Sequence, residues 1–225
     1  MLVAIPFGVL AWIQASYWKD AEHLFDHTLR VTDDNFMARF ALASALVRQG
    51  RFEEAIAHGR EAERIAPAFA PARINLGVAL AQAGRDDDAR RIADSVLEKD
   101  PSNPRALTLR AALLVDDGRR EEAAAVYERA MAAGPPDAET LRGLGTLELS
   151  LGRLGPAEDH LRRALALDPR NAASHKNLGV LLARTGRLAE AADQFSLAVA
   201  LNPQDESARK NLDRAREMLG RGRQP

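Results

Sequence analysis

Cysteine is absent from the 225 residues, which removes disulfides, thiolate metal sites and cysteine nucleophiles together. Aromatic residues supply only 5% of the chain, and the 46% that is hydrophobic is dominated by Ala and Leu. That balance favours helices, because Ala and Leu cost little there, whereas β-branched and aromatic residues suit a pleated surface. Charge of one sign is missing too: 31 Lys and Arg against 32 Asp and Glu leave a net charge of -1. No global field therefore draws the chain toward nucleic acid or a membrane surface, and electrostatic recognition must come from local patches.

What is present is a period. Gly50, Gly84, Gly118, Gly152 and Gly186 stand 34 residues apart, and each is followed by arginine. The same spacing carries Ala55, Ala89, Ala123, Ala157 and Ala191, and then Pro67, Pro101, Pro135, Pro169 and Pro203. Small residues recur between them at Ala62, Val96, Ala130, Ala164 and Ala198. Each unit reads as a helix, a turn at the glycine, and a second helix that stops at the proline. Glycine takes the left-handed conformation that ends the first helix, and proline keeps the second from running into the next unit. Acids open the second helices at Glu53 and Glu54, at Asp86 to Asp88, and at Glu121 and Glu122, where the helix end is positive. The small residues let the helices approach closely.

These ladders, with Leu76-Gly77, Leu144-Gly145 and Leu178-Gly179 in the first helices and Tyr127 and Phe195 in the second, resemble the tetratricopeptide-repeat family. Leu42-Ala43, Arg110-Ala111, Gly59 and Ala93 depart from its pattern. The resemblance implies an all-α, right-handed superhelix of five full repeats, at 36–69, 70–103, 104–137, 138–171 and 172–205. Residues 17–35 then supply the second helix of a degenerate unit, 206–219 a polar capping helix, and 220–225 a tail.

The apolar segment 1–16 is of another kind. Met1 to Ile13 is uncharged, yet shorter than the roughly twenty residues that span a bilayer, and it lacks the basic start of a secretory signal. It reads as the end of a membrane helix, as an apolar first helix packed on the repeats, or as an atypical signal. Ser16-Tyr17-Trp18-Lys19-Asp20, with Leu24-Phe25 and Thr28 to Thr32, resembles the join between membrane helix and repeats in bacterial protein O-mannosyltransferase-like membrane proteins. That resemblance implies membrane association through residues 1–16; the alternative location is cytoplasmic.

The family resemblance also implies a groove lined by the second, fifth, sixth, ninth and thirteenth positions of the first helices. In this chain these positions include Phe40, Ile74 and Val78, then Arg142, Lys176, Arg184 and Lys210. The groove is expected to change from apolar to basic and to hold a partner protein or peptide with acidic side chains at the basic end. Asn75, Asn177 and Asn211 occupy sixth positions, where an amide offers a donor and an acceptor to a peptide backbone. Ala41, Leu109 and Gly143 interrupt that series, and Val180 stands where a chaperone-type carboxylate clamp needs asparagine.

No catalytic grouping emerges and no cofactor is expected. His23 and His27 are four apart on a predicted helix but have no third ligand, so a solvated face is the simpler reading. His58 and His160 are expected at exposed points of second helices, and His175 in a packing slot. Each Gly-Arg ends a helix rather than opening a phosphate loop, and no aromatic-basic platform for nucleic acid is present. The expectation is a non-catalytic interaction scaffold. Its alternatives are the repeat-bearing end of a membrane glycosyltransferase-like protein, or a scaffold that assembles with itself.

Overall fold

The computed structural model describes Phe25, Thr28, Leu29, Thr32 and residues 34–221. Residues 1–24, and with them the apolar segment, its aromatic end and the His23–His27 pair, lie outside the described residues, as does most of 25–33. Among the described residues every regular element is α-helical, and no helix is long and apolar enough to cross a membrane. The chain divides into two compact units, the first ending at Leu113 and the second beginning at Leu114.

The first unit holds α1 (Phe36–Arg48), α2 (Phe52–Ile65), α3 (Ala70–Gln82), α4 (Asp86–Leu97) and most of α5 (Pro104–Asp116). The second holds α6 (Arg120–Ala132), α7 (Ala138–Ser150), α8 (Leu154–Leu167), α9 (Ala172–Arg184), α10 (Leu188–Leu201) and α11 (Glu206–Arg221). Within each unit the helices stack as successive pairs.

Local chemistry explains the helix ends. Asn35, Asn103, Asp137, Asn171 and Asp205 each accept the amide of the residue three places on, at 2.8–3.2 Å, and so cap a first helix. A cap of this kind contributes about 1 kcal/mol. Phe69 stands at the equivalent point before α3, where it gives up the cap and meets Phe36 and Phe40 edge-on, with centroids at 5.3 and 5.5 Å. At the other end of each first helix the repeated glycine has φ between 73° and 79°. The arginine after it donates its amide to a leucine or glutamate carbonyl five residues back, at 2.8–3.0 Å. Together with the glycine N–H bond this forms a Schellman closure that satisfies the last carbonyls of the helix.

The arginine of each Gly-Arg pair has a second use. Arg51, Arg85, Arg119 and Arg187 reach the acid three residues on, at Glu54, Asp88, Glu122 and Glu190. Arg153 has no such partner because Pro156 occupies that place. These pairs are exposed and add little stability, but they tie each turn to the start of its second helix.

The small-residue ladder sits at the centre of the packing: Ala55, Ala89, Ala123, Ala157 and Ala191 are all 0% exposed. In the first unit Leu42, Leu46, Leu76, Leu80, Leu109 and Leu113 surround them. In the second the core gathers Leu149, Leu161, Leu178, Leu182, Phe195 and Leu212.

Candidate functional site

The residues expected to line a groove fall in both units. In the first, Phe40 is half-buried and engaged with Phe69, and Val78 is half-buried against the core. Ile74 is only 2% exposed, because Val96 and Ala106 close over it. Its place is the packing between helices, which corrects the reading of Ile74 as an open contact for a ligand. Asn75 is occupied as well: its amide nitrogen donates to Ser44 Oγ, and its oxygen accepts Arg105 Nη2 at 3.0 Å.

In the second unit the same amide pattern returns, since Asn177 Nδ2 donates to Thr146 Oγ1 at 2.7 Å. Asn75 and Asn177 thus bond the hydroxyl at the ninth position of the preceding first helix. Asn211 stands in the same register on α11, but the residue before it in that relation is Val180, which offers no hydroxyl. Asn211 is half-buried, and its side chain has no hydrogen bond among the described residues. Gly143 interrupts the series for a steric reason. A Cβ there would collide with the Tyr127 hydroxyl and would lie 2.7 Å from the adjoining ring carbon, so the sixth position of this unit is already filled by a ring. Burial pushes the Tyr127 phenol up to about 12, and the charge of nearby Arg142 opposes that shift.

The cations of this unit differ in how free they are. Lys176 Nζ donates to Asp205 Oδ2 at 2.7 Å, and both side chains are mostly buried, at 27% and 18% exposure. Lys176 is therefore neutralised within the protein and tied to the N-cap of α11, in contrast to the open role expected of it. Arg184 Nη1 donates to the Leu149 carbonyl at 2.7 Å, near the C-terminal end of α7, where a cation complements the helix dipole. Lys210 is exposed and stands 3.7 Å from Glu206. Arg142 and Arg214 make no ion pair among the described residues.

Asp205 carries a testable consequence of this pairing. The Lys176 ammonium holds its carboxyl below the usual carboxylate range, helped by the amides of Ala208 and Ser207. A depressed folded pKa stabilises the fold above the unfolded value of roughly 4, and the contribution is lost as pH falls through the folded value. Lys176→Met is expected to cost about 1 kcal/mol at pH 7 and nearly nothing at pH 2, measured by urea denaturation at both pH values. An equal loss at both would reject the pairing.

Between α9, α10 and α11 lies a cleft of about 310 Å³. Val180, Ala183, Leu188, Phe195 and Met218 give it apolar walls, and Arg184, Asn211 and Arg214 bring polar groups to it. The sequence placed Arg184 and Asn211 in the groove, but the depth of the cleft and the parts of Leu188 and Met218 were not legible from repeat positions.

His160 was expected to be exposed; it is instead largely covered, with its Nδ1 2.7 Å from Glu148 Oε2, and Glu148 is 7% exposed. His175 fills a packing slot at 8% exposure, with ring nitrogens 2.8 Å from Gln194 Oε1 and 3.0 Å from the Pro169 carbonyl. Among the described residues no group of three or more His, Asp or Glu side chains is placed to hold a metal ion.

Comparison with known proteins agrees with this architecture. One tetratricopeptide-repeat model matches residues 46–113, and a second matches three times, over 13–71, 108–169 and 142–206. No curated protein shows a significant match. Among solved structures, a thermophilic repeat protein of Thermus thermophilus superposes with a TM-score of 0.67 at 22% identity, over 80% of this chain and 98% of that one. Yeast Tom70 gives 0.66 at 19% identity, over 90% of this chain but 43% of its own. Pseudomonas aeruginosa pilF gives 0.59 at 20% identity, over 84% and 91%. These likenesses show the fold, and proteins built from this repeat generally mediate protein–protein interaction. The repeat-model matches together run from residue 13 to residue 206, and the chain belongs to the tetratricopeptide-repeat family.

Proposed function

We propose that this protein is a non-catalytic interaction module that receives a peptide segment of a partner protein on the first-helix face of its C-terminal unit. The observation that carries the reading is the uneven saturation of that face. Asn177 and Lys176 are consumed by Thr146 and Asp205, whereas Asn211 and Arg214 border an open cleft with no partner of their own. A half-buried amide without a hydrogen bond gains by meeting a peptide unit, which supplies the acceptor and donor it needs. Arg142, Arg184, Lys210 and Arg214 bias the same face toward acidic ligands, and charge-assisted bonds to carboxylates are stronger than neutral ones. The apolar contribution of Phe40 and Val78 belongs to the other unit and is a separate surface in this reading.

The test is a selection of displayed dodecapeptides on the full chain, followed by fluorescence anisotropy of the enriched peptides. Convergent sequences that bind saturably to the full chain are expected. A selection that yields no convergent sequence would reject the peptide-binding reading.

A further inference from the structure

The cleft at the last repeat and the capping helix has a shape and charge more specific than a general groove. Its walls come from three helices: Val180 and Ala183 on α9, Leu188 and Phe195 on α10, Ala215 and Met218 on α11. A volume of about 310 Å³ suits one large side chain rather than a folded segment. Phe195, 2% exposed, gives the cleft a rigid aromatic wall, while Met218 at 46% exposure can adapt over an incoming group. Such a cleft exposes apolar surface to water until something fills it.

Two guanidinium groups flank that apolar space, and their states differ. Arg184 is held by its bond to the Leu149 carbonyl, so part of its ordering cost is met before any ligand arrives, and its other N–H donors remain. The Arg214 side chain, on α11, has neither hydrogen bond nor ion pair among the described residues. Other cations of the same unit are matched: Lys176 with Asp205, Arg187 with Glu158 and Glu190, Arg162 with Glu158, Arg163 with Asp159. At the cleft, two arginines with no carboxylate partner among the described residues and the Asn211 side chain line the same apolar hole.

Resting on the groove reading, the geometry points to a specific ligand chemistry: a peptide that inserts one large apolar side chain, Leu, Phe or Trp, between Ala183, Phe195 and Met218. The same peptide sets the side-chain carboxylate of a neighbouring Asp or Glu against Arg184 and Arg214. Asn211 bonds the peptide unit that joins the two groups. The apolar anchor contributes by leaving water, and the two guanidinium groups fix the register of the chain by bidentate contact with the carboxylate. A peptide with the anchor alone leaves the cations unmatched, and one with the acid alone leaves the cleft wet.

The experiment selects displayed dodecapeptides on the full chain and on two full-length variants, then measures the enriched peptides by fluorescence anisotropy. Arg214→Glu changes an exposed side chain, and Ala183→Trp fills the cleft; melting curves check that each variant folds. The expected result is enrichment of a large apolar residue next to Asp or Glu. Affinity is expected to fall about tenfold or more in Arg214→Glu, with similar loss in Ala183→Trp, and to weaken as salt is raised. Peptides enriched without that pair, or bound equally well by Arg214→Glu, overturn this inference while leaving the groove reading in place. A selection that enriches nothing removes both.

Discussion

Phe195→Ala is expected to lower the unfolding free energy of the C-terminal unit by about 3–5 kcal/mol, the range for removing a buried aromatic ring. The ring is 2% exposed and packs among Leu178, Leu182, Leu212 and Ala215, so it holds together α9, α10 and the capping helix. Its loss opens a void that backbone held by stacked helices fills only in part. Because each repeat contacts chiefly its neighbours, the damage should concentrate at the C-terminal end, where α11 frays first. Urea denaturation followed by circular dichroism measures the loss, and hydrogen exchange locates it. A loss below about 1 kcal/mol would mean that Phe195 is not the keystone of this end.

Gly179→Val is expected to destabilise the same contact from the opposite side. A Cβ at position 179 would lie 2.6 Å from Phe195 Cε1 and 2.7 Å from its Cδ1, closer than carbon atoms approach. The ring is buried and cannot swing away, so α9 and α10 must separate, at a cost of about 1–3 kcal/mol or more. Valine gains a few tenths of a kcal/mol in helix propensity over glycine, too little to offset the clash. The two effects are coupled. In the double variant Gly179→Val with Phe195→Ala, the methyl groups enter the space the ring has left, and the combined loss should be smaller than the sum by about 1 kcal/mol or more. Simple additivity in a double-mutant cycle would contradict this contact.

The helices and their turns were legible because 34-residue ladders fix where each chain segment must stop. Gly50 and its four equivalents take positive φ, and Ala55 and its equivalents reach zero exposure, as the period requires. Part of the candidate site was legible by the same rule, since repeat position alone pointed to Asn211 and Arg184. What repeat position cannot give is the state of a side chain, which depends on partners some thirty residues away. Lys176 meets Asp205, Asn177 meets Thr146, and Ile74 is closed in by Val96 and Ala106. A signal did exist for the amides: a hydroxyl at Ser44 and Thr146 precedes each occupied asparagine by 31 residues, and Val180 precedes the unoccupied one. His160 was misplaced for a similar reason, because the acid that covers it, Glu148, lies on the preceding helix.

The most direct measurement of the central claim is an isotope-edited NMR titration of the full chain with a selected peptide. The account predicts that the largest shifts fall on the Asn211 side-chain amide, on the Arg184 and Arg214 Nε–H signals and on the Val180 methyl groups. Leu167 and Leu197, exposed on second helices of the same unit, should stay unmoved. Shifts centred on Leu167 and Leu197, with Asn211 unchanged, would contradict it.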